Sequence, residues 1–178
     1  MLKGILLLSV VLLGTPSAVY TPTDNGSSVK FKIKNLGVSV GGSFTGLQGK
    51  IVFDPANPAA TSMEASIDVN SINTGIDLRD NHLRSDDYFD AKNYPKIRFV
   101  STRVGSGSRS GSYTVTGNLT IKNVTREISF PFTAVPQSGG YLFSGEFKIN
   151  RRDYKVGGSS ITLSDNLTVS LKVFAPKG

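Results

Sequence analysis

YTVTGNLTIKNVTREISFPFT, residues 113–133, is made of two apolar–polar alternations set back to back. Tyr113, Val115, Leu119 and Ile121 alternate with Thr114, Thr116, Asn118, Thr120 and Lys122, and Ile128, Phe130 and Phe132 alternate with Ser129 and Thr133. A period of two puts each set on its own side of an extended chain, so each run predicts a strand with one dry and one wet face. Lys122-Asn123 joins the runs as a tight hairpin.

The same alternation spreads in both directions. Val29, Phe31 and Ile33 oppose Lys30, Lys32 and Lys34; Met63, Ala65, Ile67 and Val69 oppose Glu64, Ser66, Asp68 and Asn70. Tyr141, Phe143, Phe147 and Ile149 oppose Ser144, Glu146 and Lys148, and Leu167, Val169, Leu171 and Val173 oppose Thr168, Ser170 and Lys172. Segments 38–53 and 96–104 are strand-like with weaker alternation. Eight strands with one wet face predict an antiparallel sheet. Closing it into a barrel removes exposed edges, and a β-sandwich is the alternative with the same pattern. Gln137 to Gly140 reads as a further hairpin, and Gly105 to Gly111 as a flexible turn. Residues 74–90, TGIDLRDNHLRSDDYFD, break the alternation and predict one or two short helices between the third and fourth strands, with Thr74 and Ser85 as starts. The stretch 151–164 reads as a loop with a helical turn.

Residues 1–18 read as a secretory signal: Lys3, an apolar run from Ile5 to Leu13, then Gly14, Thr15, Pro16, Ser17 and Ala18, with cleavage after Ser17 or Ala18. Residues 19–178 are then one domain, periplasmic or secreted. The chain has no cysteine, which removes disulfides, thiol nucleophiles, thiolate metal sites and a lipoprotein anchor. The formal charge of +7 permits weak contact with a membrane surface. Lys30, Lys32 and Lys34 share one strand face, which reads first as a solvated outer face. The basic residues are otherwise dispersed, so nucleic acid is not an expected partner. No nucleophile motif, phosphate loop or metal-ligand cluster is evident, so neither catalysis nor a metal or cofactor is expected. The acidic group Asp86, Asp87 and Asp90 lacks the spacing of a calcium loop and reads as helix capping.

The ordered segments SVKFKIKNLGVSVGGSFTGLQGKIVF (28–53), RDNHLRSDDYFDAKNYPKIRF (79–99), GNLTIKNVTREISFPF (117–132), INRRDYKVG (149–157) and LSDNLTVSLKVFA (163–175) resemble YceI-like domains, the bacterial polyisoprenoid-binding proteins. The resemblance implies an eight-stranded antiparallel barrel like an extended lipocalin, a helix against it, and a long isoprenoid or fatty chain inside. It also implies a periplasmic or secreted, non-catalytic protein and a homodimer. Two positions depart from the family pattern: Asn35 stands where many relatives carry histidine, and Lys155 where they more often carry glycine.

An eight-stranded barrel either fills with its own side chains, as an interaction or structural module would, or holds one small ligand. Alternation leaves both open. Inward Gly117 and Gly145 either free volume or mark bends. If a cavity exists, its wall is expected from Phe31, Ile33, Phe44, Ile67, Val69, Leu83, Phe89, Ile97, Phe99, Val115, Leu119, Phe130, Phe132, Phe143, Phe147, Leu167, Val169 and Leu171. Such walls suit a long apolar tail at about 0.8 kcal/mol per buried methylene, and they suit no sugar or phosphate, whose buried groups would lack partners. Asn35, His82, Arg84 and Arg151 are the candidates to meet a head group, with His82 also readable as structural. Arg79 and Arg84 are expected to pair with Asp80, Asp86, Asp87 or Asp90, and Arg151, Arg152 and Asp153 to form a salt bridge at the rim.

Overall fold

The computed structural model describes residues 18–178. The expected export segment lies outside them apart from Ala18, which opens the first strand opposite Phe53. Ten strands are described: β1 (Ala18–Tyr20), β2 (Thr23–Asn35), β3 (Val38–Phe44), β4 (Gln48–Phe53), β5 (Ser62–Asp68), β6 (Lys96–Ser106), β7 (Ser112–Ile121), β8 (Val124–Gln137), β9 (Gly140–Asn150) and β10 (Leu163–Pro176). They form one antiparallel, strongly curled sheet in the order β1-β4-β5-β6-β7-β8-β9-β10-β2-β3, which rules out a two-sheet sandwich.

Ten strands replace the expected eight because one expected run is interrupted and one strand lies before the first of them. The segment 38–53 breaks at Thr45–Leu47, where Gly46 takes φ +73°. There the Asp24 carboxylate accepts from the Gly46 and Leu47 amides at 2.9 and 3.0 Å, taking two donors out of the ladder. β1 precedes the first expected strand and is cut from β2 at Thr21-Pro22, where proline offers no N–H. Beyond the cut, Thr21 N donates to Pro176 O at 3.0 Å and Tyr20 pairs with Lys177, so the two termini of the described chain lie side by side. The hairpins at Lys122-Asn123 and Ser138-Gly139 stand as read from sequence, with Lys122 at φ +54°.

The interior is divided along its length. Phe53, only 1% exposed, meets Tyr113, Tyr141 and Phe143 edge-on at centroid distances of 5.4, 5.0 and 5.3 Å. Edge-to-face rings add about 0.5–1.5 kcal/mol per pair beyond their burial. Tyr20, Ile51, Val104, Val115, Phe132, Ala134 and Ala175 join this cluster, which fills the end of the sheet bearing the β4–β5, β6–β7 and β8–β9 turns. Phe130, stacked on Phe147 at 4.5 Å, is the boundary with the other half. That half is walled by Val29, Phe44, Leu47, Ile67 and Ile72 on one side and by Leu119, Ile121, Tyr154 and Val156 on the other.

Between β5 and β6 lies a single helix, α1 (Asp77–Arg84), and the expected second start at Ser85 is instead its C-cap, followed by turns to Ala91. Thr74 does not cap it. The buried Asp80 accepts from the Thr74 amide at 2.9 Å and from its hydroxyl, holding the approach to the helix from within its first turns. Past Ser43, which pairs with Asn73, the outer edge of β3 from Val38 to Gly42 has no strand partner among the described residues. A seam therefore runs between the tip of β3 and the start of α1.

Burial in the interior has two measurable consequences. Phe53→Ala lowers unfolding free energy by roughly 3–5 kcal/mol, read from urea midpoints. Burial pushes the phenols of Tyr20, Tyr113 and Tyr154 above the ordinary tyrosine value of 10.0. The fold holds these phenols neutral, so the stability they lend is whole below pH 10 and is lost as pH climbs beyond it. Denaturation midpoints that stay level from about pH 8 to 9 and fall above about pH 10 check this.

Candidate functional site

The open half encloses a cavity of about 450 Å³, within the ~300–1,000 Å³ of sites that hold small molecules. The inward residues of seven strands reach it: Phe31 and Ile33 from β2, Phe44 from β3, Ile67 from β5, Ile97 and Phe99 from β6, Leu119 from β7, Phe130 from β8 and Phe147 from β9. β10 adds Leu167, Val169 and Leu171, while Leu83 of α1 and Phe89 just beyond it form a cover. Fourteen of the expected wall residues thus converge on one space.

Four expected wall residues do not reach it. Val115, Phe132 and Phe143 point inward as their alternation requires, but at the filled end, packed around Phe53. Val69 leaves β5 and starts a 3₁₀ turn (Val69–Ser71), where it is buried away from the cavity. The wall also contains Val29, Ala65, Ile121, Ile149 and Val173, all on inward faces legible from the alternation. Val40, Leu47, Tyr88, Val156 and Leu163 carry no comparably clear signal.

Gly117 and Gly145 do not supply the space. A β-carbon at Gly117 would sit 2.6 Å from Phe99 Cζ and 2.5 Å from Val100 O, so the glycine admits a ring laid flat over the backbone. Gly42 does the same under Phe31, at 2.5 Å. The rings lie along the wall, and the space in front of them remains.

Polar groups gather at the mouth: Asn35, Thr74, Arg79, His82, Arg151, Ser160 and Thr162. Asn35 and His82 are exposed there, and His82 leans edge-on against Tyr88 at 4.8 Å. Arg79 donates to the Thr74 hydroxyl and carbonyl at 2.8 and 2.7 Å, a tie to neutral oxygens where an aspartate partner was expected. Arg84 departs from its candidate role. It does not line the cavity, and its guanidinium bonds Asn70 O, Ile72 O and Asn81 Oδ1 at 2.9, 3.0 and 2.9 Å, pinning α1 to the preceding turn without an acidic partner.

Arg151 borders the cavity but is 4% exposed, and its donors are committed. They reach Ser164 O, Val156 O, Gly158 O, Leu163 O and Asp165 Oδ1 at 3.0, 3.0, 2.8, 3.4 and 2.8 Å. The rim ion pair therefore forms with Asp165, to which Arg152 adds a 3.9 Å contact, and Asp153 is not its acid. Burying a charge without partners would be costly, and the five acceptors offset that cost. Arg151 holds the 151–164 segment as one side of the mouth. Within it, Lys155 closes a 3₁₀ turn (Arg151–Tyr154) at φ +57°, the left-handed conformation that favours glycine.

Among the described residues no three His, Asp or Glu side chains gather to hold a metal. The wall offers dispersion and apolar burial, and the mouth offers hydrogen bonds.

A YceI-like domain family model matches residues 20–175. The UPF0312 protein YE1254 of Yersinia enterocolitica is 35% identical over 135 residues, 72% of this chain and 69% of that protein. The fold is similar to that of BcnA from Burkholderia cenocepacia, with TM-score 0.78, 29% identity and coverage of 83% of this chain and 95% of that one. It also matches the Campylobacter jejuni YCEI protein at TM-score 0.67 and 32% identity, covering 77% and 84%. A polyisoprenoid binding domain from Saccharophagus degradans shares the fold alone, at TM-score 0.73 and 19% identity over 91% and 99%. With its matched residues spanning nearly all of the curled sheet, this chain belongs to the YceI-like family.

Proposed function

We propose that the protein binds one long-chain apolar amphiphile, an isoprenoid, isoprenoid quinone or fatty-acid derivative, and carries or sequesters it unchanged. The tail occupies the open half of the sheet and the head stays at the mouth near Asn35, Thr74, Arg79 and His82. The work is done in the periplasm or outside the cell.

The supporting observation is the shape and chemistry of the cavity. It is closed at one end by the Phe53 cluster, open at the other, and walled by aliphatic and aromatic side chains. Every methylene moved from water into such a wall is worth roughly 0.8 kcal/mol, so a tail of a dozen carbons is held by contact alone. A uniformly polar guest would lose its water without replacement. The likeness in fold to a polyisoprenoid binding domain agrees with this reading, as does family membership. A wholly filled interior, the rival reading, describes only the Phe53 end.

Protein purified without detergent retains a solvent-extractable lipid, and native mass spectrometry shows the added mass. Only the bare chain mass from gently handled samples would overturn the proposal. Leu167 faces Ile33 and Ile149 across the wall near the mouth. Leu167→Trp puts a large ring into the cavity and lowers lipid affinity by about tenfold, the equivalent of about two buried methylenes, read from lipid titration by native mass spectrometry. Phe53→Ala, at the filled end, leaves occupancy unchanged while lowering stability.

A further inference from the structure

We infer that the mouth end, together with the outer face of β9, β10, β2 and β3, is a docking surface for an anionic lipid bilayer. The observations are the placement of exposed apolar side chains and of lysines that have no ion-pair partner among the described residues. Among the described residues, seven large hydrophobics are exposed, and five of them border the mouth: Leu36 (75%), Val38 (66%), Ile76 (53%), Leu78 (82%) and Ile161 (105%). Leu36 N donates to Thr162 O at 2.9 Å, so the β2–β3 turn and the loop carrying Ile161 stand together. Ile76 and Leu78 stand across the seam, at the start of α1. Scattered exposed apolar residues need no account, but a group around one opening marks an interaction site.

Charge decides the partner. Directly paired residues of neighbouring strands share a face. Lys32 pairs with Thr168, which pairs with Lys148; Lys30 pairs with Ser170, which pairs with Glu146; Lys172 pairs with Ser28 and Ser144. On β3 the same outer face carries Ser39, Gly41 and Ser43 opposite Lys34, Lys32 and Lys30. The four strands thus present five lysines and, among these paired positions, one acid, Glu146, already bonded by the Ser170 hydroxyl at 2.8 Å. On the far wall acids stand beside the cations, Glu64 opposite Lys50 and bonded by Arg98 at 2.6 Å, and Asp68 opposite Lys96. The lysine rows end at the mouth, where Lys34 lies two residues from Leu36. A soluble polyanion would use the lysines and leave the apolar tips in water. An anionic bilayer takes both, head groups against the lysines and acyl boundary against Leu36, Val38 and Ile161. No helix among the described residues is long and apolar enough to cross a membrane. The purpose of such docking rests on the carrier reading, since a bilayer is where long-chain amphiphiles reside, but the surface itself does not depend on a bound lipid.

Cosedimentation with vesicles of phosphatidylglycerol and phosphatidylethanolamine, against pure phosphatidylcholine, tests the inference on the protein expressed from the full chain. The protein binds the anionic vesicles, ignores the neutral ones and is released by salt. Lys32→Gln/Lys34→Gln/Lys148→Gln lowers anionic-vesicle affinity by at least about tenfold. Leu36→Asn/Ile161→Ser weakens binding with the salt dependence unchanged, asparagine being tolerant of the left-handed φ of +50° at position 36. Thermal midpoints equal to that of the parent show that both variants are folded. Absence of vesicle binding, equal binding to neutral vesicles, or binding to dextran sulfate that matches vesicle binding and ignores the Leu36/Ile161 change would each overturn the docking surface. Retained lipid in native mass spectra is read separately, so loss of docking and loss of the carrier reading are distinguishable.

Discussion

Rings standing edge-on around Phe53 set the character of the whole interior. A curled sheet of this size has volume to fill, and here Tyr20, Phe53, Tyr113, Tyr141 and Phe143 pack on one another and close one end. At the other end Phe31, Phe44, Phe89, Phe99, Phe130 and Phe147 stand among isoleucine, leucine and valine along the wall, Phe31 and Phe99 laid over glycines. A blind, apolar space with one polar mouth is the outcome. Had the wall rings met across the space as those around Phe53 do, the sheet would have been filled throughout at the packing density usual for protein interiors.

Strand positions and the inside–outside assignment were legible in the sequence because both depend on a period of two, which is local. Position along the barrel axis is not local. Val115, Phe132 and Phe143 carry the same signal as Leu119, Phe130 and Phe147, yet the first three are plug and the last three are wall. The breaks at Thr21-Pro22 and Thr45–Leu47 were hidden for a related reason. Proline 22 and Gly46 are visible, but the acceptor that replaces the ladder at Gly46 is Asp24, more than twenty residues away. At the mouth, chemistry was readable by type and misread by partner. Arg79, Arg84 and Arg151 were expected to seek carboxylates, and backbone carbonyls take most of their donors. Irregular loops leave carbonyls unpaired, and a planar five-donor guanidinium is suited to collecting them.

The two sides of the mouth are consequently built in different ways. One is a loop drawn around a buried guanidinium, with every donor occupied and Asp165 as counter-charge. The other is a short helix without a side-chain cap, tied by Asp80 to Thr74 and by Arg84 to the turn before it. Family resemblance marks both segments, RDNHLRSDDYFD and INRRDYKVG, and their common physical role is to hold an opening that no ladder of strands could frame.

The unpaired edge of β3 gives this opening a direction. Parting any other two neighbouring strands would sever a row of N–H to carbonyl bonds. Spreading the gap between Val38–Gly42 and α1 severs none, because none spans it among the described residues. Opening this gap calls only for side chains such as Phe31, Thr74 and Arg79 to swing aside, with the backbone frame left intact.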